Sequence, residues 1–233
     1  MARRRVSNPL ALAVLSCLHE RPMHPYEIST TLRSRGKEQS IRLNYGSLYS
    51  VVESLQRHGL VSPLETTREG RRPERTVYEI TDAGVHELED WLSELLSTPA
   101  RDHSSLEAGL SLMPGLPPDD VATLLETRCD RLRIEVRSLD ATLDVTTEMG
   151  LPDLFVVEVA YRRHMLTAEL GFVADLAGRI RDGSFPGVKA WRRLHELHAE
   201  GVPLADIFAD PVGRLGPDAA AFDTAATQTP RRT

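Results

Sequence analysis

Aromatic residues are scarce in this sequence, at 5% of 233 positions, against 41% hydrophobic residues in all. A core must then be built from aliphatic side chains, which favours packed helices over a β-sandwich. Cysteine is almost absent. Cys17 and Cys129 stand far apart, each inside an apolar periodic run, and read as small buried hydrophobes rather than a disulfide or redox pair. No apolar run approaches the ~20 residues of a membrane-spanning helix, so no membrane partner is expected. Arg3–Arg5 followed by Leu10–Leu18 imitates an export signal, and Val14-Leu15-Ser16-Cys17 imitates a lipoprotein cleavage site. Ser16 interrupts that run and His19-Glu20-Arg21-Pro22 ends it, so a cytoplasmic location is expected. The marks of an enzyme are missing too. The sequence offers no glycine-rich phosphate loop and no nucleophile beside a recognisable base. His195-Glu196-Leu197-His198 lacks the His-x-x-x-His spacing and a third ligand, and reads as a surface helix. Neither a catalytic residue, a metal nor a cofactor is expected.

Charge is present in both signs but unevenly placed. The whole chain carries 28 Lys/Arg against 34 Asp/Glu, a net of −6, which argues against a nucleic-acid binder. Residues 1–80 hold 13 against 8, a net of +5; the remaining 15 against 26 leave −11 for residues 81–233. A basic head on an acidic body suits a DNA-binding domain joined to a partner-binding one.

The head is organised around Asn44–Gly59. Leu48, Val51, Val52 and Leu55 recur at helical spacing and define a buried face. Asn44 is the expected N-cap and Gly59 the expected residue after the C-cap. Tyr45, Ser47, Tyr49 and Ser50 fill the other side of the first turns. A helix with an apolar back and a hydroxyl-rich front suits the DNA major groove, where such groups reach phosphates and base edges.

Two helices precede it. Asn8-Pro9 starts the first, with Leu10, Val14, Cys17 and Leu18 inward; His24-Pro25 starts the second, with Glu27 in its first turn. After it, Leu60-Val61-Leu64 and Val77-Tyr78-Ile80 read as strands around an arginine-rich tip, Thr67–Arg75. Three helices and such a hairpin make a winged helix-turn-helix. Its wing would bring Arg71, Arg72 and Arg75 to the DNA backbone or minor groove. Thr81-Asp82 caps a fourth helix whose stripe includes Trp91. Trp91 is the most plausible wall of an effector pocket, although a core role suits it as well.

Residues 98–103 read as a linker, which gives a head at 1–97 and a helical dimerisation and effector domain at 98–200. One long helix carries Leu125, Leu132, Val136 and Leu139 in its stripe, and a second carries Leu166, Leu170 and Val173. Together they predict an antiparallel hairpin with too little interior to bury both stripes, hence a homodimer seam formed by these residues. Residues 201–233 have no sustained period and are expected to form a disordered tail. The fold class is thus mainly α with a small β-hairpin: a winged helix-turn-helix domain followed by an α-helical dimerisation domain.

Several motifs then resemble one family. His24-Pro25-Tyr26-Glu27 is similar to the His-Gly-Tyr-Glu of the PadR family of bacterial transcriptional regulators. Gly46-Ser47-Leu48-Tyr49 resembles its Gly-Thr-Leu-Tyr, followed by Leu55 and Gly59-Leu60-Val61. Tyr78-Glu79-Ile80-Thr81-Asp82-Ala83-Gly84 resembles its Tyr-x-Leu-Thr-x-x-Gly. The likeness covers residues 9–95, and Leu106–Arg128 more loosely resembles the carboxy-terminal helical domain of the family's longer branch. It implies a homodimer that binds a pseudo-palindromic operator, usually as a repressor, with a small effector able to release the DNA. Pro25 and Ser50 depart from the family's glycine and proline, which leaves the operator sequence open. Two other readings compete: a sensor of drug-like molecules, and a winged helix used only for protein assembly.

Overall fold

A computed structural model describes residues 8–37, 45–67, 75–99 and 104–219. The chain divides into two compact units, Met1–Asp102 and His103–Thr233. It is mainly helical, with one two-stranded antiparallel hairpin among the described residues.

The first unit is built around α1 (Pro9–Glu20). Asn8 Oδ1 accepts the Leu10 N–H at 3.0 Å and Pro9 occupies the first turn, so the start is fixed by local chemistry. Leu10, Val14, Leu15 and Leu18 are buried, and α1 packs against α2 (Pro25–Ser34), α3 (Tyr45–Arg57) and α4 (Asp82–Ser97). Ile28 and Leu32 of α2, and Leu48, Val52 and Leu55 of α3, complete this aliphatic core.

Strands β1 (Val61–Thr67) and β2 (Arg75–Ile80) pair with Val61 opposite Ile80 and Pro63 opposite Tyr78. The register shifts between Pro63 and Glu65, so Leu64 is the bulged residue, and it is exposed. Proline brings no N–H to a ladder and is tolerated at such a bulge.

The second unit begins with α5 (Ser105–Leu112), whose cap Ser104 accepts the Glu107 N–H at 3.0 Å. A 3₁₀ turn (Met113–Gly115) leads to α6 (Pro118–Glu148), which runs antiparallel to α7 (Val157–Asp182). Ion pairs cross this hairpin at Arg181–Glu126, Arg128–Glu169, Arg162–Glu135 and Arg163–Asp140. Helix α8 (Val188–Ala199) locks onto the α5–α6 corner. Trp191 Nε1–H donates to the Leu116 carbonyl, and His195 Nε2 bonds the Pro114 carbonyl, both at 2.9 Å. Arg192 grips Asp119 at 2.9 Å.

Two of the segments singled out from sequence hold more structure within one chain than their patterns announce. The stripe assigned to a dimer seam is largely taken up within one chain. Leu125, Leu132, Leu139 and Val173 are buried, and Val136, Leu166 and Leu170 are half-buried. The unit gives these side chains more cover than a bare hairpin, because α8 adds Val188 and Trp191 to the α6–α7 core. The tail expected to be structureless from residue 201 also carries structure. Helices α9 (Leu204–Phe208) and α10 (Pro211–Leu215) pack Ile207 and Leu215 against Ala190, Leu194 and Leu197 of α8. Each is a single short turn, too brief to show a period. Residues 220–233 lie outside the described residues.

Candidate nucleic-acid interface

Helix α3 has two faces. Leu48, Val51, Val52 and Leu55 turn inward, whereas Gly46, Tyr49, Ser50, Glu53 and Arg57 are exposed. Of the side chains expected at DNA, Tyr49 is 48% exposed and Ser50 is exposed, but Ser47 is only half-exposed. The Ser50 hydroxyl donates to the Ser47 carbonyl at 2.8 Å, which leaves its oxygen lone pairs facing outward. Tyr45 and Arg75 lie in described backbone, but their side chains, together with Asn44, Arg71 and Arg72, lie outside the described residues. Glu53 is a further member of the outward face that the sequence alone does not single out. Its place four residues after Tyr49 is the one signal that marks it.

The Tyr49 ring is not loose. It meets His24 edge-to-face, with centroids 6.4 Å apart and planes at 72°. His24 is itself fixed as the cap of α2. Its Nδ1 accepts the Tyr26 N–H at 3.1 Å, and Glu27 accepts the His24 N–H at 2.9 Å. This is a capping box built on histidine. In the sequence Glu27 stands out only as a favourable charge at a helix start. Its spacing of three residues from His24 carries the further information.

A second fastening joins the hairpin to the helices. Met23 and Tyr78 exchange backbone hydrogen bonds, N–H to carbonyl in both directions at 3.0 Å, so the turn before α2 becomes a third short piece of sheet. Met23 is buried beneath it. Thr81 closes the far end of the hairpin. Its hydroxyl donates to the Gly59 carbonyl at 2.7 Å and accepts the Gly84 N–H at 3.1 Å, while its own N–H reaches the Leu60 carbonyl at 3.1 Å. Gly59 holds φ at +72°, the left-handed conformation in which glycine carries no Cβ penalty. Gly84 is required for space: a Cβ there would overlap the Leu60 carbonyl oxygen and stand 2.7 Å from Ile80 Cγ1. The motif residues Gly59, Thr81 and Gly84 are therefore one structural lock between α3, the hairpin and α4.

On the opposite side, Arg35 and Glu20 form a two-pronged pair, Nη2 to Oε2 at 2.7 Å, that ties the ends of α1 and α2. The Arg35 hydrogen bond holds the Glu20 carboxyl below its ordinary value. Cys17 is buried, and burial pushes its thiol up to about 11, so it stays protonated and inert. Trp91, considered for an effector pocket, is 5% exposed in the core of the first unit. The described groove of small-molecule size lies in the second unit, along α5 and α6.

The outcome is a three-helix frame with a polar helix face and a fastened hairpin. Residues 14–90 match the profile of the transcriptional regulator PadR-like family. No curated protein sequence matches the chain. The structure of Bacillus subtilis PadR in complex with operator DNA is 17% identical and has a TM-score of 0.59, with 74% of this chain and 99% of that one covered. The same Bacillus protein in complex with p-coumaric acid is 15% identical at a TM-score of 0.60, covering 74% and 98%. At these identities the likeness is one of fold. Over residues 14–90, then, the chain matches the PadR-like family of transcriptional regulators, and its fold is similar to that of Bacillus subtilis PadR.

Proposed function

We propose that the chain is a homodimeric repressor that binds a pseudo-palindromic operator in the cytoplasm and is released by a small effector. The single observation that carries this reading is the outward face of α3, where Tyr49 and Ser50 stand on a helix braced by His24. In this reading the head, residues 1–97, lays α3 in the major groove. Asn44, Tyr45, Ser47, Tyr49 and Ser50 contact phosphates and base edges, and Arg71, Arg72 and Arg75 reach the backbone or minor groove. The body, residues 98–200, joins two copies so that the heads stand about one DNA turn apart, ~34 Å.

The exposed apolar face of α7 supports the dimer. Val157, Tyr161, Met165 and Phe172 recur at helical spacing and are 49–66% exposed, an unusual amount of apolar surface for one helix. This face replaces Leu125, Leu132, Val136, Leu139, Leu166, Leu170 and Val173 as the proposed seam between copies. The operator and p-coumaric acid complexes of the Bacillus protein support DNA and a small molecule as partners.

The test is selection of bound DNA from a random pool by the purified chain, followed by sequencing. The expected result is an inverted repeat with half-sites one turn apart and an affinity that falls steeply with salt. An unenriched pool with no salt-dependent binding would leave a winged helix used for protein assembly.

A further inference from the structure

We propose that Glu53 of α3 is a specificity-determining residue, which accepts a hydrogen bond from the exocyclic amine of a cytosine in the major groove. The inference rests on the operator-binding reading and names a base contact within it. Helix α3 exposes one stripe, Gly46, Tyr49, Ser50, Glu53, Gln56 and Arg57, opposite its buried Leu48, Val52 and Leu55. Steps of three and four residues place these positions along a single face. Glu53 sits at its middle, one turn after Tyr49 and one turn before Arg57, ~6 Å along the axis from each.

Chemistry separates Glu53 from the rest of the stripe. The Tyr49 hydroxyl, the Gln56 amide and the Arg57 guanidinium can each donate a hydrogen bond, so each is compatible with a phosphate. An ionised carboxylate only accepts, and a phosphate oxygen repels it. Among the base edges of the major groove, cytosine N4 and adenine N6 are donors, whereas guanine presents two acceptors and thymine one. Adenine also carries the N7 acceptor beside its amine, which repels a carboxylate. Cytosine has no acceptor on that edge, so it is the base that a carboxylate at this place selects.

The rival reading is a solvated charge paired along the helix. Glu53 precedes Arg57 by four residues, the favourable order for such a pair. Yet no ion pair or hydrogen bond engages either side chain among the described residues. The carboxylate is therefore free to meet a partner from outside the chain. On a face that approaches a polyanion, an unpaired carboxylate lowers affinity for every sequence that offers it no donor. It thus discriminates twice, by a bond at the right base and by repulsion at the wrong one.

The test is selection of bound DNA from a random pool by the full chain and by Glu53→Gln, followed by anisotropy titrations on the selected sites. Glu53 is exposed and glutamine is an equally good helix former, so the variant keeps the fold. Wild type is expected to enrich an inverted repeat with one fixed cytosine in each half-site. Glu53→Gln should keep the repeat and its spacing but turn that position to adenine, which glutamine binds through two hydrogen bonds. Replacing the cytosine by thymine should cost the wild type about fivefold or more in affinity, the low end for a good base contact, and leave the variant little changed. The variant should also bind an unrelated duplex more tightly than wild type does, because the repulsion is gone. The same enriched bases at every position, or a loss of affinity uniform across sequences, overturns the base-reading role and leaves the operator-binding reading intact. A changed position at which wild type prefers a base other than cytosine overturns it too. An unenriched wild-type pool overturns the operator-binding reading, and the Glu53 contact with it.

Discussion

Gly84 and Gly109 make a controlled pair at the scale of single residues. Both sit in helices, but a Cβ at Gly84 meets the Leu60 backbone while one at Gly109 meets open space. Gly84→Ala should lower stability by roughly 1–3 kcal/mol, the usual range for overpacking. Gly109→Ala should raise it by roughly 0.5–1 kcal/mol through helix propensity. Urea denaturation of the two variants checks both signs. At Tyr49 the ring and the hydroxyl are separable. Tyr49→Phe keeps the edge-to-face packing on His24 and removes the hydroxyl, so operator affinity should fall by about 1 kcal/mol, the net worth of one hydrogen bond. Tyr49→Ala should fall further, and anisotropy titrations that place the two variants level would show that the His24 brace adds nothing to binding. Cys17 should be slow toward a disulfide reagent in the native state, because burial holds the thiol protonated with its titration near pH 11.

At the scale of elements, the sequence is most legible where local chemistry fixes a boundary. Asn8-Pro9, Thr81-Asp82 and Gly59 each name a helix end by themselves, and the structure has α1, α4 and the end of α3 there. Features that need a distant partner are less legible. The Met23–Tyr78 bridge joins residues 55 positions apart, and nothing in either local pattern announces it. Helix α8 shows the same limit. Trp191, Arg192 and His195 are readable as a helix face, but their bonds to residues 114–119 arise only in the folded unit. The stripe of α6 is legible as a buried face but not in its destination, because periodicity reports that a face is covered and not by what.

The same elements predict an acid response. The Arg192 hydrogen bond holds Asp119 below its ordinary carboxylate value, and the Arg181 hydrogen bond does the same for Glu126. Folded pKa values below the unfolded ones, ~3.9 for Asp and ~4.3 for Glu, mean a stabilisation present above the unfolded values and lost as pH falls through the folded ones. Thermal unfolding of the wild type should therefore steepen its decline below about pH 4 relative to Arg181→Gln plus Arg192→Gln. Parallel curves for the two proteins would show that these exposed pairs contribute nothing measurable.

On the scale of the whole molecule, the division of charge matters more than its total. The concentration of positive charge in residues 1–80, at +5 against −11 for residues 81–233, should make DNA affinity depend on salt as a basic protein's does, although the chain is acidic overall. Arg71→Ala plus Arg72→Ala should reduce the slope of log affinity against log salt by about two, one for each phosphate no longer neutralised. An unchanged slope would remove the wing from the proposed interface.

The paired bonds between Met23 and Tyr78 also bear on how the head opens. A bridge of two peptide hydrogen bonds, over a Met23 side chain that is almost fully buried, cannot be broken on one side alone. The amides of Met23 and Tyr78 should then lose protection together in native-state hydrogen exchange, as one cooperative unit with the hairpin, rather than each with its own local fraying. A hairpin that melts only in company with the helix turn behind it cannot probe DNA independently. In the proposed complex the head would meet DNA with hairpin and helices moving together.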